Sequence, residues 1–391
     1  MFSLHVLFVC NEYPPAPHGG IGAFVQTLAE ALVERGHSAS VIGRYGDGSL
    51  PSQIVQNGVM VHRLLMNKLR KVGPVWDRIM LYKAIEALIR EQGVSVVEYP
   101  DFQSDLILRH RIPTVLRLHG SMSYYASFNK MAQSRFIHWV EQRAFRVADC
   151  VVGVSRFVLE RTQTIFGHSP QHSRAIHNFV DTRLFQTPAS DEDEPLILFY
   201  GSLIPRKGVL QLARAANQFL RRLSDAVLCF VGRDSLVNGQ SCREMIVREL
   251  EPDLRARVVF SEAVPHLDLI RVIRRARVCV FPSYMEALPL APLEAAAAGK
   301  AVVVSNLGPL PEMFEHGAHA LLVDPDDVKR LSASIVQLFN GRALRDRLGR
   351  AARARVVERF SLERGLSANL DFYAEMVNKA GTQAAKVFVE R

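Results

Sequence analysis

Glu286 and Glu294, eight residues apart, carry the sharpest chemistry in this sequence. They lie in Phe281-Pro-Ser-Tyr-Met-Glu-Ala-Leu-Pro-Leu-Ala-Pro-Leu-Glu-Ala295. An apolar strand enters a loop carrying Glu286, and Pro289 and Pro292 then start a helix carrying Glu294. A carboxylate in the loop and another about one turn into the helix can face one pocket, with the helix start offering N–H groups to a phosphate. Paired hydroxyls of neutral polyols, ribose and hexose among them, donate well to carboxylates. Glu294 alone would pass for a glutamate stabilised by the helix dipole; its partner Glu286 argues against that.

Two more segments pair a strand end with a helix start. In Phe199-Tyr-Gly-Ser-Leu-Ile-Pro-Arg-Lys-Gly208, Arg206 and Lys207 stand where the next helix begins. That end of a helix repels cations, so the arrangement costs stability unless an anion sits among them, and a phosphate fits that need. In Pro14-Pro-Ala-Pro-His-Gly-Gly-Ile-Gly22, the glycines let backbone N–H groups approach an anion. As a dinucleotide fingerprint this segment fails, because Gly19 comes nine residues after the strand and the spacing is G-G-x-G. A plain tight loop is the competing reading there.

The elements that must position these residues alternate along the whole chain. His5–Cys10, Ser40–Gly43, Val94–Glu98, Thr114–Leu118 and Cys150–Val154 read as strands; Ala23–Arg35 and Asp77–Glu91 read as helices. The alternation restarts at Leu196–Gly201, Ala226–Gly232, Arg257–Phe260, Val278–Phe281 and Ala301–Ser305. Continuous apolar strands joined by helices imply parallel sheets covered on both faces, hence an α/β chain of two doubly wound domains. Asn178 to Pro195 lacks periodicity and ends in an acidic, proline-bracketed stretch, the expected linker, with a cleft expected between the domains. Ligands should bind beyond the carboxyl ends of the strands. From Asp326 to about Ala380 the pattern is helical, with Arg342, Arg345, Arg347, Arg350, Arg353 and Arg355 expected on a mostly solvated face.

Composition narrows the class. A chain of 391 residues, 48% hydrophobic and 22% charged, is globular and too long for one ordinary core. Its 48 basic and 39 acidic residues give +9, which favours acidic partners without naming one. Five scattered cysteines without a Cys-x-x-Cys read as reduced and buried. No run reaches the length of a membrane span, and Met1 to Cys10 is too short for a signal segment, so a cytoplasmic protein is expected. Arg63, Lys68, Arg70, Lys71, Arg78 and Lys83 gather near Trp76, Ile79, Met80 and Leu81. That cluster fits a basic amphipathic surface making peripheral contact with the inner face of a membrane, or else a solvated helix face. Without interleaved aromatics or a known module, the arginines do not point to nucleic acid.

The three segments, taken together, resemble the retaining GT-B glycosyltransferases of group 1, or family 4. Leu116-Arg-Leu-His-Gly120, Asn178-Phe-Val-Asp181, Glu294-Ala-Ala-Ala-Ala-Gly-Lys-Ala-Val-Val-Val-Ser305 and Gly308-Pro-Leu-Pro-Glu312 complete the series in order, across nearly the whole chain. The resemblance implies transfer of a hexose-type sugar from a nucleoside diphosphate donor, its co-substrate, to a glycan, lipid-linked or small-molecule hydroxyl. It implies retained configuration and neither metal nor cofactor. Lys207 and Arg206 would hold the diphosphate, Glu294 the ribose hydroxyls, and Glu286 hydroxyls of the donor sugar. Leu288, Pro289 and Leu290 would line the donor site. His119 would lie near the donor sugar, and the loop at Gly20 and Gly22 near phosphate or acceptor.

The same resemblance divides the chain into an acceptor-side Rossmann-like domain (1–186), a linker (187–194) and a nucleotide-sugar-binding domain (195–360). A C-terminal helix (361–391) would return to the first domain. Three positions depart from the family's habit: Ser202 where an arginine is usual, and Ala287 and Pro309 where glycine is. Asp191-Glu-Asp193 mimics a metal-binding motif of the other glycosyltransferase fold but reads as solvated linker. Two alternatives stay open, a nucleotide-sugar epimerase on the same fold and a binding protein whose donor site has decayed.

Overall fold

A strand covered on both faces reads as a near-continuous apolar run, and β1 (His5–Val9) does after its first residue, with Val6 to Val9 buried. It lies inside an eight-stranded sheet with β2 (Ser38–Tyr45), β3 (Gln53–Gln56), β4 (Val59–Leu65), β5 (Val96–Pro100), β6 (Thr114–Leu118), β7 (Cys150–Gly153) and β8 (Ser173–Ala175). The order is β3-β4-β2-β1-β5-β6-β7-β8. The structure, a computed structural model, describes residues 3–17, 19–46, 48–66, 73–129, 133–185 and 193–389. The chain forms two compact units, Met1–Asn178 with Gly365–Arg391, and Phe179–Arg364.

All neighbours in the first sheet run parallel except β3 and β4, which pair antiparallel at the edge. The expectation of a wholly parallel sheet is corrected there. Asn57 and Gly58 both have positive φ (48° and 79°), the two-residue turn that closes a hairpin. The chain moves outward from β1 through β2 to β4, then returns to β5 on the other side of β1. That reversal is a switch point, where loops at the strand ends diverge and leave room for a ligand.

The second unit repeats the scheme. Its strands are β9 (Leu196–Tyr200), β10 (Val227–Val231), a short hairpin of β11 (Leu236–Val237) and β12 (Gln240–Ser241), then β13 (Val258–Ser261), β14 (Val278–Phe281), β15 (Val302–Ser305) and β16 (Leu321–Val323). The six-stranded sheet is ordered β13-β10-β9-β14-β15-β16, all parallel. Its core gathers Ile197, Phe199, Phe230 and Val280 from the sheet with Phe219 and Leu338 from the covering helices. Here the switch point lies between β9 and β14.

Several surface expectations are corrected. Of the arginines named on helix Arg342–Arg359, Arg342, Arg347 and Arg350 are exposed as expected, whereas Arg345, Arg353 and Arg355 turn back onto the fold. Arg345 pairs with Asp193 (3.2 Å) and donates to the Leu338 and Phe339 carbonyls, Arg347 donates to Gly317 O, Arg353 to the Phe185 and Ala297 carbonyls, and Arg355 to the Met313 and Glu312 carbonyls. Carbonyls at helix ends and loops lack partners, and guanidinium groups supply them. Asp193 is held by Lys300 (2.7 Å) and Arg345 rather than solvated; Asp191 and Glu192 lie outside the described residues.

Of the basic cluster near Trp76, Lys83 is exposed, as are Trp76 and Met80, and two arginines turn inward. Arg63 and Arg78 are buried, the latter 3.4 Å from the Asp105 carboxylate, and Lys68, Arg70 and Lys71 lie outside the described residues. Among the described residues, no helix is long and apolar enough to cross a membrane. The five cysteines form no disulfide; four are buried and Cys229 is half-buried. The division at Asn178 and Phe179 precedes the linker read from composition, and 187–192 of that stretch lie outside the described residues.

Candidate active site

Residues Gly201 to Gly208 leave β9, and Pro282 to Pro289 leave β14, so both loops flank the second unit's switch point. Gly208 has φ +71°, and a Cβ there would lie 1.9 Å from the Pro282 carbonyl oxygen. Only glycine permits both that conformation and that approach. Tyr284 N–H donates to Arg206 O at 2.8 Å, which ties the loops together. A one-turn helix, Pro205–Lys207, then aims two cations across the gap. Lys207 Nζ lies 2.6 Å from Glu286 Oε1, and Arg206 Nη1 lies 3.6 Å from Glu286 Oε2 and donates to Met285 O at 3.2 Å.

Glu286 is buried. Burial pushes its carboxyl up, and Lys207 and Arg206 more than reverse that, so it titrates below the ordinary carboxylate range. The cation pair at a helix start thus has an anion, but one from the chain itself. Two cations against one carboxylate leave a positive surplus where helix Val209–Arg222 begins, with neither a side-chain cap nor an acidic residue in its first turn. Ser202, in the same loop, is exposed; Ala287 and Leu288 are buried beside Glu286.

Pro289 caps helix Leu290–Ala297, and Tyr200, the last residue of β9, donates its hydroxyl to Ala291 O at 2.6 Å. Glu294 falls beyond the first turn of that helix, so the dipole does not explain it. Its Oε1 lies 3.1 Å from His266 Nε2. Burial and then Glu294 hold the Tyr200 hydroxyl well above its ordinary range. The two glutamates therefore have separate partners, Glu286 the cations after β9 and Glu294 a histidine.

In the first unit, His119 and Gly120 follow β6. The buried Asp101 carboxylate, after β5, accepts from His119 N–H (2.8 Å) and Gly120 N–H (3.2 Å). Gly120 has φ +98°, and a Cβ there would lie 2.7 Å from the Tyr125 hydroxyl. The His119 ring sits edge-on to Phe24, 5.1 Å away, and Phe24 comes from the glycine-loop helix Gly20–Glu34. Burial, then Arg117, push the His119 imidazole down to about 3, so it is neutral near pH 7. Burial pushes the Asp101 carboxyl up to about 8.

Arg117 itself is buried and bidentate to Glu98 (2.6 and 2.8 Å), with Asn369 and Tyr373 of helix Leu362–Val389 completing the group. In the glycine loop, Gly22 N–H donates to the Glu12 carboxylate at 2.8 Å. Gly20, by contrast, is exposed. An acidic side chain of the chain itself meets the positive helix end where an anion was expected.

Sequence reading missed His266, Tyr200, Asp101 and Glu12. His266 precedes Glu294 by 28 residues, and spacing gives no hint that they meet. Asp101, following a strand directly, did carry a signal, because side chains at strand ends are the ones aimed toward a ligand.

Two family models match the chain: "Glycosyltransferase Family 4" over residues 18–184 and "Glycosyl transferases group 1" over residues 180–355. Glycogen synthase of Mycobacterium tuberculosis is 25% identical, over 95% of this chain and 94% of its own. Alpha-maltose-1-phosphate synthase of Mycolicibacterium smegmatis is 29% identical, over 95% of this chain and 100% of its own. Among solved structures, Anabaena HepE in complex with UDP-glucose superposes with a TM-score of 0.74 at 20% identity, covering 96% of this chain and 100% of that one. Nothing in these comparisons supports the epimerase alternative. Two parallel-sheet units, each with a switch point, and matches running from 18 to 355 lead to one conclusion: the chain belongs to the group 1, or family 4, glycosyltransferases and has the GT-B fold.

Proposed function

We propose that this glycosyltransferase moves a hexose-type sugar from a nucleoside diphosphate donor to an acceptor hydroxyl in glycan biosynthesis, with retained configuration and no metal ion. One observation carries the reading: Lys207 and Arg206 converge on the buried Glu286 at the switch point between β9 and β14. HepE, which binds UDP-glucose, supports a nucleotide-sugar donor, and the glycogen synthase relative supports a glycan acceptor.

The chemistry follows from the leaving group. As the bond from the anomeric carbon to the phosphate oxygen breaks, negative charge grows on the diphosphate and positive charge on the sugar ring. Lys207 and Arg206 stabilise the first, and each fixed donor of this kind is worth about 3–4 kcal/mol. Their charge and the start of helix Val209–Arg222 take the part a metal ion would otherwise play. Glu286 would exchange its hold on Lys207 for hydroxyls of the donor sugar, and Glu294 would accept from the ribose. Leu288, Pro289 and Leu290 would shape the donor site between them. His119, neutral, would serve the donor sugar as a hydrogen-bonding group rather than a charge.

Retention is assigned to front-face attack. The acceptor oxygen bonds the anomeric carbon on the face that the diphosphate leaves, and the acceptor's proton passes to the departing phosphate oxygen. The deciding experiment incubates the protein with nucleotide sugars and candidate acceptors, follows release of nucleoside diphosphate, and reads the product's anomeric configuration by NMR. Release that is undiminished in excess chelator and lowered by orders of magnitude in Lys207→Ala supports the reading. Turnover unaffected in both Lys207→Ala and Glu294→Ala overturns the site.

A further inference from the structure

Glu294 has three rotatable side-chain bonds, and a ligand that uses its carboxylate must find it already aimed, or lose affinity to ordering it. Two polar side chains flank it. Tyr200 comes from the end of β9, donates its hydroxyl to Ala291 O and lies beside the Glu294 carboxylate. His266 is the first residue of helix His266–Arg275, and its Nε2 stands 3.1 Å from Glu294 Oε1. The imidazole is itself held, edge-on to the buried Phe185 ring at 5.9 Å, and Arg353 donates to the Phe185 carbonyl at 3.0 Å.

We propose that His266 is a positioning residue for nucleoside recognition: its Nε2–H holds Glu294 Oε1, so that Oε2 is presented to a ribose hydroxyl of the donor. The inference rests on the reading of Glu294 as the ribose-binding carboxylate. It assigns His266 no contact with the reacting atoms. The hydrogen bond with Glu294, working against burial, raises the imidazole above its ordinary range, which favours the donating form. A hydrogen bond to a charged group in a half-buried setting fixes the carboxylate rotamer before the nucleotide arrives, so its removal should appear in donor affinity rather than in the chemical step.

The experiment titrates UDP, GDP and ADP by calorimetry, takes the tightest, and compares it with its 2′,3′-dideoxy counterpart. Wild type, His266→Ala, His266→Gln and Glu294→Ala are measured, with the folded fraction of each checked by thermal melting. In His266→Ala the ribonucleotide should weaken about tenfold and the dideoxynucleotide less than about twofold. His266→Gln, which keeps an N–H donor, should recover most of the loss, and kcat at saturating donor should stay within about twofold of wild type. Equal weakening of both nucleotides in His266→Ala, or none, overturns the inference. If Glu294→Ala discriminates between the two nucleotides while His266→Ala does not, only the role of His266 falls. If Glu294→Ala fails to discriminate, the ribose reading falls and takes this inference with it.

Discussion

Lys207 Nζ and Glu286 Oε1 are 2.6 Å apart, the lysine from the loop after β9 and the glutamate from the loop after β14. The pair bridges the switch point of the second sheet with a buried carboxylate and a cation four-fifths buried. On the proposed reading, a diphosphate entering there would exchange one anionic partner of Lys207 for another, with the cation aimed before the donor arrives. Removing it should be costly twice over. Lys207→Ala is expected to lower kcat/KM by about 10²–10³ and, because the buried Glu286 loses the counter-charge 2.6 Å away, to lower stability as well. Steady-state release of nucleoside diphosphate and a urea melt of the same sample separate the two effects.

Gly208 lets the cation-bearing turn lie against the other loop. Gly208→Ala combines a left-handed φ with a Cβ 1.9 Å from Pro282 O, so the turn must shift. The expected loss is at least about 1–3 kcal/mol, from the scale of backbone strain at such positions. Activity should fall with it, because the displaced turn carries Arg206 and Lys207. A variant as stable and as active as wild type, by chemical denaturation and turnover, would show that the turn has room after all.

The His119 imidazole should stay neutral through the working range. Its folded pKa of about 3 lies below the ordinary 6.5, so its contribution to stability is complete above about pH 6.5 and fades as pH falls toward 3. His119→Gln should therefore lower kcat/KM without moving the acid limb of its pH profile between pH 5 and 8. An acid limb that disappears in the variant would mean that the imidazole titrates during turnover.

Arg117, Glu98, Asn369 and Tyr373 tie helix Leu362–Val389 to the first sheet in a fully buried polar group. Arg117→Ala leaves the Glu98 carboxylate without its buried counter-charge and should cost about 3–5 kcal/mol. Tyr373→Phe removes one hydroxyl and should cost nearer about 1 kcal/mol. Equilibrium denaturation of the two variants should rank them in that order; the reverse ranking would mean that Arg117 is dispensable to the network.

Local pattern made much of the fold legible. Thr114–Leu118 and Val278–Phe281 were read to the residue, because short runs rich in β-branched and apolar residues, bounded by breakers, leave few other structures. The hairpin at Asn57-Gly58 escaped notice although its turn dipeptide is a strong signal, since β3 is exposed and lacks an apolar run. Three arginines after Gly341 went astray for a different reason. A guanidinium on a helix reads as solvated until the carbonyls that need it are known, and those belong to residues as distant as Phe185 and Met313.

The amino-acid sequence by itself determined the two α/β units, the glycines at the strand ends and the four charged residues Arg206, Lys207, Glu286 and Glu294. All of these are written in local periodicity and short-range spacing. Tertiary structure alone decided which charge meets which: Glu286 with Lys207, Glu294 with His266, and Glu12 with the glycine loop. Strand order sets the first of these, because β9 and β14 lie side by side and bring together loops far apart along the chain, a distance no spacing rule spans. Glu12, by contrast, meets Gly22 within the single connection after β1.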